Sequence, residues 1–256
     1  MTRPFWMLLM VGLGLYLLFW GLLIAATAGF TDAATLGRIW LRPEILHAAG
    51  LSLLSCTLAA ALALGVAVPL GYLMARRALP AKTWLDAALD IPIVLPPMVV
   101  GLCLLIFFQT RLGRAIEQVI PLTYTMGGVV LAQWTVAAAF AIRSMRSCFD
   151  QLCPRPEQIA LTLGATDFQA FRLVALPAAR RGMIAAFCIA WARSMGEFGP
   201  ILVFAGATRM KTEVLPTTVW LELSVGNLDA AVAVSLVMIA LSAAILVLVR
   251  RTGQRL

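Results

Sequence analysis

The chain has 256 residues, 62% of them hydrophobic and 12% charged, against about 45–50% apolar and about 25% charged in an ordinary soluble domain. So few charges cannot cover so much apolar surface in water, which excludes disorder, collagen-like repeats, coiled coils and small disulfide scaffolds and makes lipid the solvent for most of the chain. The net charge of +8 comes from basic residues that fall between apolar runs, the pattern of a membrane-orientation signal rather than of a nucleic-acid-binding face.

A spanning helix needs about 20 mostly apolar residues, and six candidates follow in chain order. The first runs over residues 5–28 and is twice as long as the apolar core of a signal peptide, so it reads as a retained helix although Ala26-Thr27-Ala28 fits a cleavage pattern. The second covers about 51–75 and stops at Arg76-Arg77. The third, about 91–108, carries Pro92, Pro96 and Pro97, and the fourth, about 126–142, stops at Arg143. The fifth, about 182–205, holds Arg193 and Glu197, and the sixth, about 230–249, ends at Arg250-Arg251. The five cysteines show no CxxC spacing and His47 is the single histidine, so metal, redox and histidine-based chemistry have no residues to rest on. No internal repeat is visible, which counts against a secondary transporter built from inverted repeats.

Of the 20 Lys and Arg, Arg38, Arg42, Arg111, Arg114, Arg209 and Lys211 fall on one side of these spans, Arg193 falls in the membrane and the rest fall on the other side. Basic loops stay in the cytoplasm, which puts both termini inside. The longest cytoplasmic interruption, Ser147 to Arg181, is too long for a mere connection. Pro156 suits a first helical turn, Glu157 complements the dipole there, and Ile159 and Leu163 share a face. Gly164 permits a left-handed stop, and Thr166 with Gln169 forms a capping box that starts a second short helix through Phe168, Phe171 and Leu173, ended by Pro177. Two short helices with exposed apolar residues read as a knob for a partner's groove, or as a hairpin lying on its own bundle or in the headgroup layer.

The run Glu157-Gln158-Ile159-Ala160-Leu161-Thr162-Leu163-Gly164-Ala165, followed by Val174-Ala175-Leu176-Pro177, resembles the EAA loop of permease subunits of binding-protein-dependent ABC importers. Gln158 stands at the motif Glu and Ile159 at its first Ala, while Ala160, Gly164, Leu176 and Pro177 match. The resemblance covers about residues 49–250. It implies an all-α type I importer permease fold of six transmembrane helices with a cytoplasmic coupling-helix hairpin. Residues 1–48 would be the first helix and an outer loop, 49–250 the importer domain with its coupling loop at about 151–181, and 251–256 a cytoplasmic tail. It also implies that Glu157, Gln158, Ala160, Thr162, Leu163, Gly164 and Ala165 lie at the contact with a separate ATPase. Asp90–Gly101, Ala192–Gly199 and Leu221–Ala231 look like segments of the oxyanion permeases, the last closer to the molybdate branch than to the sulfate branch.

The expectation is therefore a non-enzymatic inner-membrane subunit that moves molybdate or tungstate. It would bind no cofactor itself, since the chain has no Gly-x-x-x-x-Gly-Lys-Ser/Thr phosphate loop; ATP and Mg would sit on the partner. The implied assembly is a second copy of the chain, two ATP-binding cassette subunits, an extracytoplasmic oxyanion-binding protein and the bilayer, with no nucleic acid. A sulfate or thiosulfate permease, a secondary transporter and a membrane enzyme are the competing readings. In the pore, Pro92, Pro96 and Pro97 must kink or unwind helix three, as a lining hinge or as a static packing kink. Arg193 and Glu197, four residues apart, can pair and must face the bundle interior, a subunit seam or the translocation cavity. The outer Arg111, Arg114, Arg209 and Lys211 could add positive potential along an oxyanion's route, and otherwise read as solvated loop charges or binding-protein contacts.

Overall fold

The structure is a computed structural model that describes residues 3–77 and 80–254, without the side chains of residues 3–5, 33, 246 and 248–254. The basic side chains of Arg3, Arg250, Arg251 and Arg255 in the charge count therefore lie outside the described residues, as does the end of the 251–256 tail. Every regular element among the described residues is helical. Four helices are long and apolar enough to cross a membrane: α1 (Arg3–Gly29), α3 (Pro43–Arg76), α7 (Met126–Gln151) and α13 (Leu228–Gln254). Two bent pairs bring the crossings to six if each is one span. They are α4 (Lys82–Val94) with α5 (Pro97–Gln109), and the segment Asp167–Ala178 with α11 (Arg180–Met195). Short helices α2 (Ala33–Trp40), α6 (Arg111–Val119) and α12 (Leu215–Ser224) join spans at one end. At the other end α8 (Arg155–Thr162), α9 (Asp167–Ala170) and α10 (Leu176–Ala178) join α7 to α11.

In lipid, apolar side chains gain little by leaving one hydrocarbon for another, so helices hold together by close backbone approach. The central seam is built accordingly. Cys56, Ala60, Ala63 and Ala67 of α3 meet Ala137, Ala138 and Ala141 of α7 and Ala186 and Ala190 of α11. Gly71 marks the tightest point, where a Cβ would lie 2.8 Å from the Arg146 backbone nitrogen. By contrast, α1 is apolar all round and exposes its large side chains, Leu8 by 70% and Met10 by 69%, as a helix bathed in lipid does.

Four spans differ from the sequence expectation. The third begins at Lys82 and is two helices bent by 106°. The break falls at Leu95 and Pro96, both extended (ψ 139° and 132°), because a residue before proline is pushed out of the helical region. Pro97 then opens α5, while Pro92 is accommodated inside α4. The fourth span runs on past Arg143 to Gln151. Its charges do not stop it because they are matched: Arg146 pairs with Asp86, and with Asp150 at 3.7 Å, and Arg143 lies 4.0 Å from Asp90. The fifth ends at Met195, leaves the helical path through Gly199 and resumes at Pro200 as a wide turn, Ile201–Ala205, closed by Gly206 N–H donating to the Ile201 carbonyl at 2.9 Å. The second span starts at Pro43, so the expected boundary at 48/49 falls inside α3.

Gly71→Val should force α3 and α7 apart and cost about 1–3 kcal/mol, the usual penalty of overpacking. Gly65→Val, where nothing lies within 4 Å of an added Cβ, should leave the seam intact. Thermal midpoints of the two variants in detergent check the contrast.

Candidate functional site

Local chemistry shapes the hairpin between α7 and α11. Gly164 takes φ +92° and ends α8, with the Ala165 N–H returning to the Ala160 carbonyl at 3.0 Å. Thr166 and Gln169 form the reciprocal cap expected from sequence: the Gln169 N–H donates to Thr166 Oγ1 at 3.2 Å and the Thr166 N–H donates to Gln169 Oε1 at 2.8 Å. Pro177 does not end the second helix. The chain widens through Phe171–Ala175, where the freed geometry of one extra residue per turn absorbs the proline, continues through α10, and bends by 72° into α11.

Glu157 departs from expectation. It is buried, and its carboxylate takes a bidentate contact from Arg76, Nη2 to Oε1 at 2.9 Å and Nε to Oε2 at 3.3 Å, and a hydrogen bond from the Tyr72 hydroxyl at 2.9 Å. Arg76 also donates to the Phe149 carbonyl at 2.8 Å and the Leu152 carbonyl at 3.1 Å, the loose end of α7. The Tyr72 ring packs against Phe149 and Phe171. Glu157 thus belongs to the base of the hairpin rather than its tip, because a carboxylate facing a guanidinium at the end of α3 is drawn inward. Pinned from beneath, the hairpin presents Ile159, Leu163, Phe168 and Leu173 outward, Leu163 being 82% exposed. Gln158, Thr162 and Gly164 share that exposed surface, with Ala160 and Ala165 half-buried beneath it. Sequence reading took Arg76 only as an orientation charge and passed over Tyr72; the sole hint was a basic residue at a span end facing the loop that holds Glu157.

A second cluster sits where the two broken spans cross. A Cβ on Gly101 would lie 2.8 Å from Pro200 Cα, and one on Gly199 would lie 2.9 Å from the Met98 nitrogen. The chain after the Pro96–Pro97 break therefore touches the chain after the fifth-span break backbone to backbone. Arg193 and Glu197 meet at 2.7 Å, as an ion pair off the line of an N–H hydrogen bond. Glu197 lies beyond the end of α11 and is buried, and the Arg193 guanidinium rests over the Phe140 ring at 5.5 Å. Pro92 is set apart from this crossing, lining a small apolar groove with Leu95 and Phe107.

At the end of the bundle away from the hairpin, Arg209 is not a free loop charge. It pairs with the buried Glu222 at 2.6 Å, which also accepts from Asn227 Nδ2 at 2.7 Å. Glu213 beside them is fully buried, and neither of its carboxylate oxygens is hydrogen-bonded. The neighbouring Thr218 hydroxyl is committed to the Val214 carbonyl at 3.1 Å. Burial raises the Glu213 carboxyl above the ordinary carboxylate range, with Arg209 pulling the other way.

The architecture has close relatives. Residues 67–256 match the profile of the binding-protein-dependent transport system inner membrane component. The chain belongs to that family. A probable molybdenum ABC transporter permease protein of Haloferax volcanii is 33% identical over 94% of this chain and 87% of its own. The sulfate transport system permease protein CysT of Salmonella typhimurium is 32% identical over 78% of this chain and 73% of its own. The molybdate/tungstate transport system permease protein WtpB of Thermococcus kodakarensis is 36% identical over 64% and 62%. A crystal structure of a bacterial alginate ABC transporter, in complex with an alginate pentasaccharide-bound periplasmic protein, superposes with a TM-score of 0.76 over 98% of this chain and 94% of that one, at 14% identity; at that identity the match speaks for the fold alone. The permease is thus an all-helical, multi-pass inner-membrane importer subunit of the type I fold.

Two outcomes follow for the permease. Glu157→Ala leaves a partly buried guanidinium without its carboxylate and should cost about 1.5–3 kcal/mol; the thermal midpoint should drop and protease should cut residues 155–170 sooner, with Glu157→Gln intermediate. A carboxyl held above its unfolded pKa favours the fold at low pH, and that advantage is lost as pH rises through the raised value. Glu213→Gln should therefore exceed the wild-type thermal midpoint at pH 8, and the gap should close toward pH 4; paired melts across that range measure it.

Proposed function

We propose that the permease is the translocating subunit of an ATP-driven importer for a tetrahedral oxyanion, molybdate or tungstate, with both termini in the cytoplasm. One observation carries the coupling half of this reading. An apolar-tipped hairpin stands out from the bundle while its base is fastened to the ends of α3 and α7 by Arg76 and Glu157. A rigid base with an exposed apolar tip transmits a push; a tethered loop would absorb it. Gln158, Ala160, Thr162, Leu163, Gly164 and Ala165 form the surface that docks in a groove of a separate ATPase, which holds the ATP and Mg. Glu157 acts one step behind, holding that surface.

The hairpin drives the crossing of Pro96–Gly101 with Gly199–Ala205. Both segments leave helical geometry, and their backbones touch, so turning one must displace the other. Irregular backbone at membrane depth is tolerated only against protein or a wet cavity, which is compatible with a crossing beside the route in a two-copy assembly. The buried Arg193–Glu197 pair braces it. A soluble oxyanion-binding protein delivers cargo at the outer end. The substrate assignment is supported by the names of the relatives, among which molybdenum and molybdate/tungstate permeases stand beside a sulfate permease; sulfate or thiosulfate is the second reading.

Gly164→Arg meets nothing within 4 Å of an added Cβ, so the bundle should still fold, but at φ +92° any side chain strains the turn by about 1–2 kcal/mol, and the bulk of arginine spoils the docking tip. In proteoliposomes with the cognate ATPase and binding protein, molybdate uptake should fall at least tenfold while the variant still elutes as a folded membrane protein. Titrating the binding protein with molybdate, tungstate and sulfate should rank sulfate last; tight sulfate binding alone would move the assignment to the second reading.

A further inference from the structure

Two grooves flank the cytoplasmic half of α7, and their charge differs. The groove between α7 and α4, about 490 Å³, is lined by Asp86, Asp90 and Asp150 as well as Arg143 and Arg146, and those charges are largely paired with one another. The groove between α7 and α11, about 800 Å³, is lined by Arg143 and Arg181 and by no carboxylate. Among the described residues no carboxylate lies within ion-pair distance of Arg181. Ser144 adds a hydroxyl to its wall, and Phe140 and Ile189 close its deep end. Arg193 rests over that same Phe140 ring. At 1.5 Å per residue, the stretch from Phe140 to Gln151 spans about 16 Å, about half of a 30 Å hydrocarbon core.

The floor shows that the gap is built in. Gly182 has no room for a side chain because Cys148 Sγ occupies that place, so α11 and α7 touch there while their flanks stay apart. A dianion avoids a channel walled by aspartates, and a passage where the Arg181 guanidinium has no carboxylate partner and Ser144 adds a hydroxyl attracts it, with Arg143, 4.0 Å from Asp90, adding a partly neutralised charge. Arg143 is 67% exposed, so its attraction is screened by water and weak enough to let cargo leave.

We infer that the α7–α11 groove is the inner leg of the anion's route, with Arg181 as the main counter-charge, and the Asp90-paired Arg143 as a weaker one, for a doubly charged oxyanion on its way to the cytoplasm. This rests on the importer reading above. The alternative occupants are an anionic lipid headgroup, which shares the oxyanion chemistry, and a helix of the second copy.

The test uses the complete transporter in proteoliposomes, reading molybdate uptake and binding-protein-stimulated ATP hydrolysis together. Arg181→Glu should lower uptake per ATP hydrolysed at least tenfold and Arg181→Gln about threefold, while Arg181→Lys restores it and hydrolysis persists in all three. Ser144→Trp, which fills the groove, should likewise block uptake and spare hydrolysis. Unchanged uptake per ATP in Arg181→Glu and Ser144→Trp would overturn the inference, as would a parallel loss of hydrolysis, which assigns the face to coupling or to the subunit seam. The same variants in pure phosphatidylcholine vesicles separate the sources of the anion. A defect that persists there supports cargo passage, and one that disappears assigns the groove to a lipid headgroup and overturns it. If the wild-type complex hydrolyses ATP but takes up no oxyanion, the importer reading itself falls and takes this inference with it.

Discussion

Arg76 stands where three stretches of chain would otherwise end loosely: the last turn of α3, the last carbonyls of α7 and the first turn of α8. A helix end offers unsatisfied carbonyls, and a guanidinium is the one side chain whose planar fork can satisfy two of them and a carboxylate at once. Partial burial makes the arrangement costly to break, since any partner left behind is a charge or a carbonyl without water. The Tyr72 hydroxyl completes the Glu157 carboxylate, and its ring fills the gap between Phe149 and Phe171. The stiffness of the hairpin, and with it any mechanical role, depends on this one knot.

The bundle above the knot is rigid in one place and broken in another, for the same physical reason. Alanines and glycines let α3, α7 and α11 approach until backbones touch, and that seam has no room to slide. Where α5 meets the wide turn at Ile201–Ala205, small residues again permit contact, but there the helices have already been interrupted by proline and glycine. A contact between two interrupted helices can rearrange without breaking a regular ladder of hydrogen bonds. A fixed frame and a deformable crossing are what a two-state passage needs.

Charges in this chain serve three different ends. At the span ends nearest the hairpin they pair across helices, as Arg146 does with Asp86, and allow α7 to run past the point where arginines first appear. Within the crossing they pair with each other, as Arg193 does with Glu197. At the opposite end of the bundle the Glu213 carboxylate has no hydrogen bond among the described residues, beside the satisfied Glu222, a local cost borne by a segment outside the spans.

Composition and spacing alone pointed to lipid as the solvent and to the hairpin, because apolar run length, the left-handed stop at Gly164 and the Thr166–Gln169 cap are all short-range properties of the chain. The pairing of Arg193 with Glu197 was legible too, since four residues separate them. The role of Glu157 was not: a glutamate in the first turn of a helix looks the same whether it faces water or a guanidinium some eighty positions away. Nor could the prolines be ranked, because Pro92 is tolerated or disruptive only according to what packs beside it. Local periodicity carries information over one or two turns of helix. The knot at Arg76, the crossing of two broken spans and the contrast between the grooves flanking α7 all join residues far apart in the chain, and only folding brings those together.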